Sequence, residues 1–93
     1  MPVGMTDDDF NWAISAEITA QVAAYGGVNA YCRDHNYDKR NFSRYLHGRK
    51  DRAGIIRPSV PDLPELLRII ASFGITPNDF FEAANSRLDA AED

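Results

Sequence analysis

From position 6 to 25, apolar side chains return every three or four residues as Phe10, Ala13, Ile14, Ile18, Val22 and Tyr25, the spacing of one helical face. Thr6 followed by Asp9 has the form of a capping box, and Asp7, Asp8 and Asp9 suit the positive end of the helix macrodipole. The pair Gly26-Gly27 closes this first helix. Trp12 falls off the stripe, which leaves it to a neighbouring element, a second subunit or a partly buried place in the core. A short second helix is predicted from Gly27 or Val28 to about His35, with Val28, Tyr31 and Cys32 facing inward. It stops at Asn36, since asparagine is the side chain best able to adopt the left-handed conformation of a sharp turn. Asp38 then offers an oxygen to cap a third helix, about 38–46, with Phe42, Tyr45 and Leu46 inward and Gly48 at its end.

Residues 49–61 carry two prolines and no sustained period, which predicts an extended basic loop. Asp62 with Glu65 forms another capping box, at the head of a fourth helix over 62–73. Its Leu63, Leu66, Leu67, Ile69, Ile70 and Phe73 make it the most hydrophobic helix and the expected centre of the core. Gly74 stops it. Thr76, Pro77 and Asp79 then supply a cap, a first-turn proline and an acidic first turn for a fifth helix, 76–88, carrying Phe80, Phe81, Ala84 and Leu88 before a tail expected to fray. The expected fold is all-α, five helices with a long loop between the third and fourth and no strand. At 93 residues, 44% of them hydrophobic, it is expected to form one domain.

Composition removes several classes of function. No apolar run approaches the roughly 18 residues that span a bilayer, and the N-terminal region carries aspartates where a signal peptide carries positive charge, so no membrane role and a cytoplasmic location are expected. Cys32 is the sole cysteine, which rules out an intramolecular disulfide. Cys32, His35 and His47 fall short of the four ligands of a closed zinc site, and Cys32 is expected to face the core. No nucleophile has an evident base and no glycine-rich phosphate loop is present, so neither an enzyme nor a cofactor or small-molecule ligand is expected.

Charge is unevenly placed. The net charge is −4, yet eight of the ten Lys and Arg residues lie between positions 33 and 57 beside only three aspartates, giving that segment +5 and the remainder −9. Such polarity suits oriented docking on phosphate, with a merely solvated charged loop as the alternative. A nine-residue helix is about 13 Å long and fits a major groove about 12 Å wide. On the third helix, Lys39, Arg40, Asn41 and Arg44 are the candidate base-reading residues, because Arg and Lys suit guanine and Asn suits adenine. His47, Arg49, Lys50 and Arg52 are phosphate candidates where the chain leaves the groove, and backbone N–H groups at Gly27 and Val28 are another.

The stretch from Tyr31 to Lys50 resembles the helix-turn-helix of the lambda-repressor-like family, also called the Cro/C1 or XRE type. Tyr31 and Cys32 stand where that family has a large apolar and a small residue, and Asn36, Tyr37 and Asp38 stand at its turn, apolar position and cap. Phe42 through Lys50 match its ending, and Pro61 through Phe81 look like its fourth helix, turn and fifth helix. Asn36 in place of glycine, Cys32 in place of alanine and the longer segment after Gly48 depart from the pattern. The resemblance implies a five-helix domain that binds double-stranded DNA as a homodimer and regulates transcription, with a phage or prophage origin. An antitoxin that represses its own operon and a protein-interaction module that kept the fold are the alternatives. The last helix (Phe80, Phe81, Leu88) is a candidate dimer surface, as are Ile55 and Ile56, which alternatively fold back over the core.

Overall fold

The computed structural model describes residues 7–92, which form five helices and a small two-stranded sheet. The order is α1 (Asp7–Tyr25), α2 (Val28–His35), α3 (Lys39–His47), β1 (Arg49–Lys50), β2 (Ile56–Arg57), α4 (Leu63–Ser72) and α5 (Pro77–Glu92). Local chemistry sets the ends. Asp38 Oδ1 accepts the Asn41 N–H at 3.1 Å, Asp62 Oδ1 accepts that of Glu65 at 3.1 Å, and Thr76 Oγ1 accepts that of Asp79 at 3.1 Å. The capping box predicted at Asp62 is half formed, because the Glu65 carboxylate turns instead to Tyr37 and Arg68. The Thr6 part of the first capping box lies outside the described residues. α5 runs on through Glu92, past the predicted end at Leu88.

The core gathers Ile14, Ile18 and Val22 of α1, Tyr31 and Cys32 of α2, Phe42 of α3, Leu66, Ile69 and Ile70 of α4, and Phe80 of α5. Full burial of each large side chain contributes about 1.5–3 kcal/mol. α1, not α4, is the organising helix: it packs against α5, α3 and α2, whereas α4 packs mainly on α5. The apolar stripe of α4 is wider than its partners cover, so Leu63 and Leu67 stay exposed, as does Tyr25 at the end of α1. In α5 the opposite holds. Phe80 and Ala84 are buried and Phe81 is half-buried on the core, so its large apolar residues are largely used within the chain.

Two polar side chains are buried with partners that lie far along the chain. Glu17 receives Arg87 Nε at 2.9 Å and Gln21 Nε2 at 3.0 Å, which ties α1 to α5 and satisfies both carboxylate oxygens. The Ser15 hydroxyl donates to the Tyr45 carbonyl and ties α1 to α3.

The segment expected to be a structureless loop contains a β-hairpin. Arg49 pairs with Arg57 and Lys50 with Ile56, antiparallel. Asp51 organises the turn: its Oδ1 accepts the N–H groups of Ala53 and Ile55, each at 2.9 Å, and its Oδ2 accepts Arg57 Nε at 2.8 Å. Arg57 also reaches Asp8 on α1 at 3.2 Å. Gly48 joins α3 to the hairpin at φ 82° and ψ −174°, a backbone region essentially confined to glycine. A Cβ there would run into the Arg57 carbonyl and stand 2.6 Å from the Trp12 ring. Trp12 therefore serves a neighbouring element, closing over the joint between helix and hairpin.

Candidate nucleic-acid interface

α2 and α3 are joined by a tight turn fixed from both sides. Asn36 adopts the left-handed conformation, φ 59° and ψ 43°, the only positive φ among the described non-glycine residues. The Tyr37 N–H returns to the Cys32 carbonyl at 2.9 Å. The half-buried Tyr37 ring lies 5.0 Å from Phe42 and 6.0 Å from Tyr31, centroid to centroid, and its hydroxyl donates to Glu65 Oε1 of α4 at 2.5 Å. Burial and the Glu65 carboxylate raise the Tyr37 hydroxyl well above its ordinary range, so it remains a donor. Tyr31 is wholly buried, with its oxygen 2.5 Å from that of Ser72. Buried Phe42 thus anchors the inner face of α3, and the turn sets how its outer face is presented.

That outer face carries Lys39, Arg40 and Asn41 in the first turn and Arg44 in the next, all exposed. The Arg44 guanidinium carbon lies 5.5 Å from the centroid of Tyr45, which steers the arginine along the helix. Of the eight basic residues between positions 33 and 57, Arg33 is tied to Asp34 at 3.1 Å and Arg57 to Asp51 and Asp8. Asp51 and Asp34 are accordingly held below the usual carboxylate range, chiefly by the hydrogen bonds from Arg57 and from the Tyr25 hydroxyl. The other six, Lys39, Arg40, Arg44, Arg49, Lys50 and Arg52, have no ion-pair partner among the described residues, and all six are exposed. Uncompensated, exposed cations of this kind supply phosphate affinity through counterion release.

Two clefts connect them. One, of roughly 430 Å³, lies between α3, the base of the hairpin and the start of α4, with Arg44, Tyr45 and Arg49 on its wall. The other, of roughly 560 Å³, runs along the hairpin beside Arg49, Lys50 and Arg52. They share Arg49, Ser59 and Val60 and so make a single trough leading from α3 to the hairpin turn, with Asp62 and Glu65 on its wall beside Arg44 and Arg49 at the α3 end and an excess of cations along the hairpin.

Of the residues singled out from sequence, Arg44, Arg49, Lys50 and Arg52 are brought together in this trough, with Lys39, Arg40 and Asn41 on the same helix as Arg44. His47 is exposed in the last turn of α3 and lines neither cleft, nor do Gly27 and Val28. Gly27 stands as an N-cap at φ 103° with no side-chain cap bond, which leaves the start of α2 open. Sequence reasoning missed Ser59 and the bracing role of Arg57. Nothing in the sequence marks Ser59; the spacing of Asp51 and Arg57 across a turn was the available signal for the other.

Among the described residues no group of three or more His, Cys, Asp or Glu could hold a metal ion. Cys32 is buried, which pushes its thiol pKa up, and His35 lies against the Tyr31 ring at 4.5 Å. No described helix is long and apolar enough to cross a membrane. Compared with protein-family models, curated proteins and solved structures, the chain has no match.

Proposed function

We propose that this chain is a helix-turn-helix DNA-binding protein of the lambda-repressor-like type, a transcription regulator that lays α3 in the major groove of duplex DNA. The observation that carries this reading is the set of six exposed, unpaired cations on α3 and the hairpin, in a chain whose overall charge is negative. Lys39, Arg40, Asn41 and Arg44 face base edges. Arg49, Lys50 and Arg52 hold phosphates along the trough, with His47 and the N–H groups at Gly27 and Val28 as outlying phosphate contacts. One recognition helix reads a half-site, so the working species is a symmetric homodimer on a palindromic operator. The reading involves no catalysis and no cofactor.

The test is fluorescence anisotropy on DNA from upstream of the protein's own gene, across a salt series, for wild type and an Arg40→Ala/Arg44→Ala double variant. Three phosphate-holding cations per protomer, six in the dimer, predict a log–log salt slope of about −5. Loss of a specific pair lowers affinity by roughly 1–3 kcal/mol at the operator and much less on scrambled duplex. The exposed Leu63 and Leu67 on α4 favour a second reading, a protein-interaction module. Equal indifference of wild type and variant to DNA, genomic fragments included, selects that one.

A further inference from the structure

The hairpin is built in a way that phosphate neutralisation alone does not require. Its turn ends in Arg52, Ala53 and Gly54, so beyond the arginine the tip is thin. Asp51 locks that turn with two backbone N–H bonds and the Arg57 guanidinium, so the backbone carrying Arg52 is set before any ligand arrives. Arg57 is committed to this bracing, whereas Arg52 is exposed and without an ion-pair or hydrogen-bond partner among the described residues. Ile55, beside it, is 53% exposed.

The trough gives this tip a direction. A DNA strand whose phosphates lie along Arg49 and Lys50, with Arg44 of α3 at the base edges, has the major groove on the α3 side. Every phosphate ridge separates a major from a minor groove, so the far side of that strand is the minor groove. From Arg49 to the turn the chain advances about 10 Å in extended conformation, and the minor groove is about 6 Å wide. A thin tip with one arginine suits such a slot. Arginine is drawn to narrow A·T-rich minor grooves by their enhanced negative potential, and an apolar neighbour such as Ile55 suits contact with groove walls or base steps.

We infer that the β1–β2 hairpin crosses the phosphate ridge beside α3 and that Arg52, in place of the phosphate contact given to it above, enters the adjacent minor groove, where it selects narrow A·T-rich DNA by shape. This rests on the DNA-reading proposal above and adds to it a second, independently placed reading element.

The experiment starts by selecting a core sequence for wild type from a random duplex library. That core is then flanked by A-tracts or by alternating G·C steps, and binding is measured for wild type, Arg52→Ala and Lys50→Ala, with circular dichroism confirming the helix content of each. The expected result is about a tenfold preference of wild type for A-tract flanks, within the range of other sequence-dependent contacts. Arg52→Ala abolishes the preference, while Lys50→Ala weakens binding to both duplexes alike and keeps it. A wild type that selects a core yet ignores the flanks, or an Arg52→Ala variant that keeps the preference, overturns the minor-groove assignment and leaves major-groove reading intact. A library that yields no enriched core overturns both.

Discussion

Replacing Gly48 with alanine puts the joint between α3 and the hairpin under direct strain. The backbone at φ 82° and ψ −174° is close to glycine-only, and holding another residue there costs about 1–3 kcal/mol. The added methyl also meets the Arg57 carbonyl, the Trp12 ring at 2.6 Å and Ile56 Cγ2 at 3.1 Å, and overpacking of this kind costs about 1–3 kcal/mol more. The obstacle is stiff, because one neighbour is backbone and another an aromatic ring. The combined loss of about 2–6 kcal/mol is a large share of a small domain's stability, and at 4–8 °C per kcal/mol it lowers Tm by at least about 8 °C. Thermal melts followed by circular dichroism measure it. Trp12 is the sole tryptophan, so its emission reports separately whether the hairpin has been pushed away. Gly54→Ala is the control: its φ is 83°, but nothing lies within 4 Å of the added methyl, so only backbone strain is felt and the loss is smaller. A Gly48→Ala protein melting within about 2 °C of wild type, with unchanged Trp12 emission, would refute the rigid joint.

Arg87→Ala removes the guanidinium from the buried Glu17 carboxylate and destabilises the protein by roughly 1–3 kcal/mol, reduced from the full cost of a buried pair because Arg87 is partly exposed; urea unfolding reads it, and Glu17→Gln combined with Arg87→Ala recovers part of the loss. Asp51 is held below its ordinary value of 3.8, first by the Arg57 hydrogen bond, so its contribution to folding is present above 3.8 and disappears as pH falls through its depressed folded value. The amide chemical shifts of Ala53 and Ile55 are therefore expected to hold at pH 3.8 and to move only in stronger acid, and a midpoint at or above 3.8 would contradict the Asp51-centred turn.

The parts legible in the sequence are those whose causes are local. Asn36, Asp38, Asp62 and Thr76 act within three or four residues of themselves, so the helix ends they set can be read from neighbours alone. The exposed face of α3 followed for the same reason, since buried Phe42 fixes which positions remain outside. The hairpin was not legible because two-residue strands are too short to show alternation, and their order comes from Asp51 reaching across the turn. Burial of Ser15 and Glu17 depends on Tyr45 and Arg87, 30 and 70 positions away, and no periodicity reports such pairs. Leu63 and Leu67 mislead in the opposite sense: their spacing states that they share a face, but not whether another helix covers it.

Gly48 is small because three groups converge on it, and that convergence fixes the span from α3 to the hairpin tip. On the proposed reading the two elements then behave as the jaws of a caliper. Each inserted base pair moves a flank by about 3.4 Å along the duplex and rotates it by about 35°. A caliper set by backbone against an indole ring cannot follow such a step, so the distance between core and flank becomes part of the sequence message, and a single inserted base pair erases the flank's contribution while leaving the core legible.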